Sequence, residues 1–112
     1  MEELRKKFNL DNKKIWIAGE TGMVGKAILK QLKKKKPNNK FLNSKHLDLR
    51  RQVDVEDWMK KNKPNIIFLA AAKVGGILAN NNYPVNFIED NLLISLNVIR
   101  SSYLNKIEKL IY

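Results

Sequence analysis

Three glycines at a spacing of three, Gly19, Gly22 and Gly25, sit directly between a β-favouring run and a helical pattern. The run before them is Ile15-Trp16-Ile17-Ala18, short and apolar. After them Met23, Val24, Ala27, Ile28, Gln31 and Leu32 recur at helical spacing. Strand, glycine turn and helix make up the first half of a βαβ unit, where each glycine has its own task. The first lets the chain turn off the strand. The second leaves room for a pyrophosphate beside the backbone, and the third lets the helix pack close to the strand. Backbone N–H groups and the positive end of the helix dipole then face the phosphates. A glycine turn that holds no ligand is the alternative reading. A Walker phosphate loop is excluded, because no Gly-Lys-Ser/Thr closes the turn.

The rest of the chain continues the alternation. The first helix runs into Lys33-Lys34-Lys35-Lys36, suited to a negative helix C-terminus, and Pro37 forbids continuation. Lys40 to Asn43 reads as a second strand. Gln52 or Asp54 opens a second helix, with Val53, Val55, Trp58 and Met59 expected on its buried side and Pro64 as its stop. Ile66-Ile67-Phe68-Leu69-Ala70 is a continuous apolar run, typical of a parallel strand covered on both faces. Pro84 suits the first turn of a long helix, whose apolar face is expected from Phe87, Leu92, Ile94, Ser95, Val98, Ile99 and Tyr103. Asn105 ends that helix and Lys109 to Tyr112 begins a fourth strand. The expected fold class is α/β: a Rossmann-like doubly wound parallel sheet, strand order 2-1-3-4, incomplete at its C-terminal end. Residues 1–13 read as a polar leader, a loose segment or a short helix, and residues 14–112 as the N-terminal part of an NAD(P)-binding Rossmann domain.

Composition narrows the chemistry. The 112 residues contain no cysteine and one histidine, His46, which excludes thiolate metal sites, cysteine nucleophiles and histidine-rich metal sites, so no metal is expected. His46 itself reads as a solvated loop residue. No apolar run approaches the roughly 18 residues of a membrane span, and the start lacks the apolar core of a signal peptide, so no membrane partner and a cytoplasmic setting are expected. The net charge is +11. Nearly all of it is lysine, with only Arg5, Arg50, Arg51 and Arg100 to read phosphates or bases in bidentate fashion. The charge therefore reads as a solvated surface, and nucleic acid is not expected as a partner. Trp16 and Trp58 read as core aromatics.

The end of the second strand decides which dinucleotide fits. A carboxylate there bonds the adenosine ribose of NAD. This chain has Leu42-Asn43-Ser44-Lys45, and a hydroxyl, an amide and a lysine suit a 2′-phosphate better, which favours NADP(H). Asp48 and Leu49 follow. A loop carboxylate beside an apolar residue can hold an adenine edge and pack its face; Asp48 as a turn cap is the alternative.

Gly19-Glu20-Thr21-Gly22-Met23-Val24-Gly25, then Ala70-Ala71-Ala72-Lys73-Val74-Gly75-Gly76-Ile77, then Asn80-Asn81-Asn82-Tyr83-Pro84 together resemble the GDP-L-fucose synthase family of extended short-chain dehydrogenase/reductases. The resemblance runs from about Ile15 to Tyr112. It implies that Gly19, Thr21, Gly22, Met23, Val24 and Gly25 cradle the pyrophosphate. Ser44, Asp48 and Leu49 would contact the adenosine, and Ala70, Ala71 and Ala72 would lie along the cofactor. Lys73 either lines the cofactor crevice or is solvated. Many members carry a basic residue inside the glycine turn, where this chain has Glu20 and Thr21.

The family's reaction, as the resemblance implies it, epimerises GDP-4-keto-6-deoxy-D-mannose and reduces it to GDP-L-fucose with NADPH, in a homodimer. Its chemistry needs a serine after the fourth strand and a Tyr-x-x-x-Lys pair in which the tyrosine is the general acid. Neither is found here. Tyr103 is followed four residues on by Ile107, and Ser101 and Ser102 precede the strand. No catalytic residue is assigned, and the chain is expected to be an N-terminal fragment ending inside its fourth strand. The rival reading is a small, basic, non-catalytic Rossmann-like binding module, regulatory or nucleic-acid binding.

Overall fold

The computed structural model describes residues 10–71 and 84–112, leaving aside the side chains of Pro84 and Phe87. Among the described residues four strands alternate with three helices: β1 (Lys14–Ala18), α1 (Met23–Lys35), β2 (Lys40–Leu42), α2 (Gln52–Asn62), β3 (Ile66–Leu69), α3 (Pro84–Leu104) and β4 (Lys109–Ile111). The sheet order is β2-β1-β3-β4 and every pairing is parallel, as the sequence predicts. Ile15 lies opposite Phe41 on one side and Ile66 on the other, and Ile67 lies opposite Leu110. The chain leaves β1 to form β2 on one side and β3 on the other. That reversal opens a crevice at the carboxyl ends of the two central strands, β1 and β3.

Both faces of the sheet are covered. Ile15, Ile17 and Ile66 pack with Ile28, Leu29 and Leu32 of α1 on one face. Trp16, Ala18 and Ile67 pack with Val55 and Met59 of α2 and Val98 of α3 on the other. This explains why β1 and β3 are apolar throughout rather than alternating. Trp16 is fully buried, and the half-buried Trp58 packs against it with ring centroids 4.3 Å apart at 39°.

Local chemistry sets the boundaries. Lys33, Lys34 and Lys35 fill the last turn of α1, and the Lys36 N–H closes it on the Leu32 carbonyl at 2.7 Å before Pro37. Lys63 ends α2 in the left-handed region (φ 47°), bonded to the Met59 carbonyl at 2.8 Å, just ahead of Pro64. Asparagines fix the start of the sheet: the Lys13 and Lys14 N–H groups donate to Asn39 Oδ1 at 3.0 Å and Asn65 Oδ1 at 2.8 Å. Leu10 packs against the α1 face of the core, and Asp11 pairs with Lys36 at 2.6 Å, so residues ahead of β1 already engage the domain.

Three expected buried faces differ. On α1, Met23, Val24 and Ala27 are exposed and the seam runs through Gly25, Ile28, Leu29 and Leu32, because the close approach at Gly25 fixes the helix's rotation. On α2, Val53 is 66% exposed, while Val55 and Met59 form the buried side. On α3 the departure is largest. Leu92, Ile99 and Tyr103 face outward; Val98 is buried as expected, but Asn97, Ser101 and Ser102 are buried with it. The inward face of α3 is mixed: Val98 packs on the sheet core, Ser102 donates to the Val98 carbonyl of its own helix, and Asn97 reaches a loop described next.

Candidate functional site

The turn from β1 into α1 needs its glycines for different reasons. Gly19 has φ 99°, a region only glycine enters freely, and a Cβ there would lie 2.6 Å from the Ala71 backbone nitrogen. A Cβ on Gly25 would run into the Gly19 carbonyl oxygen and sit 2.7 Å from its carbon. These two glycines are demanded by the fold. Gly22 is not. Its backbone (φ −78°, ψ 169°) suits any residue, and a Cβ would meet only the Gly19 oxygen at 3.5 Å, an ordinary contact.

Gly22 is also the N-cap of α1, with no side chain capping the helix. The first helical N–H with a partner in its own helix is that of Lys26, bonded to the Gly22 carbonyl at 2.9 Å. The amides of Met23, Val24 and Gly25 precede it and have no carbonyl within the helix to bond. No acidic side chain occupies that first turn. The helix thus presents donors and its positive dipole end beside a glycine that the fold itself does not require.

A cleft of about 380 Å³ opens here, within the range of small-molecule sites. Among the described residues its walls come from three strand ends and α3. Gly19, Thr21 and Gly22 form one wall, Leu47 to Arg50 a second, and Ala70 and Ala71 a third, with Asp90 and Ile94 closing it. Of the residues singled out by sequence, Gly19, Thr21, Gly22, Asp48, Leu49, Ala70 and Ala71 come together. Gly25 lies buried beneath the turn, and Met23 and Val24 are exposed beside it rather than lining it. Ala72 and Lys73 lie outside the described residues.

Arg50, Asp90, Leu47 and Ile94 line the cleft without having been singled out. Arg50 carried a local signal, lying two residues from Asp48. Its Nε and Nη2 donate to the two Asp48 oxygens at 3.0 Å each, and its N–H donates to Oδ1 at 3.0 Å. These side-chain and backbone hydrogen bonds hold the Asp48 carboxyl below its ordinary pKa. Asp90 carried no local signal: it is brought in by α3, where its Oδ1 lies 3.7 Å from Arg50 Nη1. Asn97 of the same helix donates to the Leu49 carbonyl at 2.9 Å. The polar face of α3 therefore clamps the loop that carries Asp48 and Leu49.

Ser44 sits just outside this cleft, at the end of β2. Its Oγ accepts from the indole Nε1 of buried Trp16 at 2.7 Å. Its N–H and Oγ donate to Glu20 Oε1 at 2.8 and 3.4 Å. Ser44 thus carries an internal duty in addition to the adenosine contact expected of it. Asn43, Lys45 and His46 are exposed around it.

Comparison with known proteins agrees with this geometry. The model of the NAD dependent epimerase/dehydratase family matches residues 15–112. The chain is 46% identical over 105 residues to a GDP-L-fucose synthase of Sinorhizobium fredii, covering 94% of this chain and 33% of that protein. It is 48% identical over 100 residues to GDP-L-fucose synthase 1 of Arabidopsis thaliana, covering 88% and 31%. Among solved structures, a GDP-mannoheptose C4 reductase from Campylobacter jejuni with NADP bound superposes with TM-score 0.79 at 39% identity, covering 88% of this chain and 32% of that one. The chain spans about a third of the length of these relatives. With the glycine turn, the parallel sheet and the cleft at its reversal all in place, the chain belongs to the NAD dependent epimerase/dehydratase family.

Proposed function

We propose that this chain is the cofactor-binding N-terminal portion of a GDP-L-fucose synthase, an enzyme that epimerises GDP-4-keto-6-deoxy-D-mannose and reduces it with NADPH. The observation that carries the reading is Gly22. The fold tolerates a side chain there, yet the chain has none where a helix N-terminus meets the cleft. A ligand that needs the space accounts for this, and the donors around it select an anion such as a pyrophosphate.

Under this reading the Met23, Val24 and Gly25 amides and Thr21 hold the pyrophosphate. Asp48 and Leu49 hold the adenine, with Arg50 fixing the carboxylate's direction. Ser44, with the neighbouring Lys45, faces the adenosine ribose and its phosphate, and Ala70, Ala71 and Ala72 line the path toward the nicotinamide. The bound cofactor supplies a hydride to the C4 carbonyl carbon of the keto sugar. The residues of this chain bind and orient; the proton donors of the reaction belong to the family's serine and Tyr-x-x-x-Lys pattern, which these residues do not contain. The NADP bound in the Campylobacter jejuni relative supports the choice of cofactor.

The outward stripe of α3, Val85, Ile88, Leu92, Leu96, Ile99 and Tyr103, recurs every three to four residues and supports a homodimer of the whole protein. No helix among the described residues is long and apolar enough to cross a membrane. The test is to incubate the full-length protein with NADPH and GDP-4-keto-6-deoxy-D-mannose. NADPH oxidation with formation of GDP-L-fucose is expected; binding of NADPH without either rejects the substrate.

A further inference from the structure

One group at the end of β2 comes from the glycine turn rather than from β2 itself. Glu20 follows Gly19, and its half-buried carboxylate crosses to the end of β2, where Oε1 takes the Ser44 N–H at 2.8 Å. The Trp16 indole, donating to Ser44 Oγ at 2.7 Å, leaves the hydroxyl's proton for the same Oε1 at 3.4 Å. Trp16 is fully buried, so this relay starts from a fixed point in the sheet. A carboxylate is thereby tethered where dinucleotide folds choose between a ribose 2′-hydroxyl and a 2′-phosphate. A carboxylate has about four acceptor sites, so Ser44 leaves capacity for a ribose hydroxyl. The same carboxylate repels a phosphate dianion, and exposed Lys45 is the neighbouring cation that opposes it.

We propose that Glu20 is a specificity-determining residue that opens this site to NAD(H) alongside NADP(H). This rests on the dinucleotide reading above. A hydroxyl acceptor from the glycine turn and a phosphate-binding lysine from the β2 loop flank one ribose, so the site recognises both forms.

The test is a fluorescence titration of the full-length protein with NADH and with NADPH, repeated for Glu20→Gln and Lys45→Gln. Gln keeps an oxygen for the Ser44 N–H and removes the charge. The unaltered protein is expected to bind the two dinucleotides within about tenfold of each other, and Glu20→Gln to shift the ratio toward NADPH by about tenfold or more. Lys45→Gln shifts it toward NADH, and serves alone if Glu20→Gln does not fold. Selectivity for NADPH beyond about tenfold in the unaltered protein overturns the proposal. So does a ratio that neither substitution moves. Both outcomes leave the dinucleotide reading standing. If neither dinucleotide binds, that reading falls and this inference with it.

Discussion

Replacing Gly22 separates the demands of the ligand from those of the fold. In Gly22→Ala the new methyl meets nothing closer than the Gly19 oxygen at 3.5 Å, and the backbone angles are open to alanine. Stability is therefore expected to hold or rise by about 0.4–1 kcal/mol, through the unfolded chain's lost freedom. Binding should behave oppositely. A methyl in the pyrophosphate's place pushes it off the α1 amides, and each hydrogen bond to a charged group contributes about 1.5–3 kcal/mol. Losing one such bond leaves affinity weaker by about 10- to 150-fold. Gly22→Val, which is bulkier, should abolish binding while sparing the fold. Gly25→Ala is the opposite control: its methyl collides with the Gly19 carbonyl, so the fold is expected to lose about 1–3 kcal/mol. The assay is NADPH titration by fluorescence on the full-length variants, paired with urea unfolding. Unchanged affinity in Gly22→Val, or a Gly22→Ala protein as destabilised as Gly25→Ala, refutes the reasoning.

Asp48 should titrate below the ordinary carboxylate range in the folded protein, because Arg50 hydrogen-bonds it, and its midpoint should rise in Arg50→Gln, followed by carboxyl-carbon NMR. Because the folded pKa is the lower one, the stabilisation is complete above the unfolded value and fades as pH falls through the folded value; an unmoved midpoint in Arg50→Gln would discount the pair. Ser44→Ala strips the Trp16 indole of its acceptor and should cost about 1–3 kcal/mol in urea unfolding, with a loss under about 0.5 kcal/mol counting against the bond. Leu92→Lys combined with Leu96→Lys should turn a full-length dimer into a monomer by light scattering; a dimer that survives places the interface elsewhere. The 112-residue chain by itself should oxidise no NADPH in the presence of the keto sugar nucleotide, and sustained turnover would relocate the chemistry to residues described here.

Sheet order and direction were legible because they follow from local signals: apolar runs too uniform for a half-exposed strand, a glycine turn, and prolines at 37, 64 and 84. The glycine motif also carried the cleft, yet not the division of labour within it. Gly19 and Gly25 answer to steric contacts with Ala71 and with the turn itself, and only geometry separates them from Gly22. Asparagine was less legible. Its abundance reads as compositional bias, but Asn39 and Asn65 bond the start of β1 and Asn97 bonds the Leu49 carbonyl. Such bonds depend on which loop lies opposite, information that no local pattern contains. The α1 seam failed for a related reason: Met23 and Val24 fit the helical period, but the contact at Gly25 set the rotation.

On α3 the pattern and the packing parted most, and the reason bears on function. A search for apolar residues at helical spacing finds Leu92, Ile99 and Tyr103, all outward. The face turned inward bears Asp90, Ile94, Asn97 and Val98, and of these only Ile94 and Val98 are apolar. Two of the inward polar groups serve the loop that carries Asp48 and Leu49: Asp90 toward Arg50, which grips Asp48, and Asn97 on the Leu49 carbonyl. A helix that held the loop by apolar contact alone would fix its depth but not the direction of its carboxylate, since apolar burial is non-directional. Hydrogen bonds and the ion pair supply that direction. One helix thus holds the Asp48–Leu49 loop on one side and carries an apolar stripe on the other. Whatever covers the stripe will bear on how firmly Asp48 is aimed.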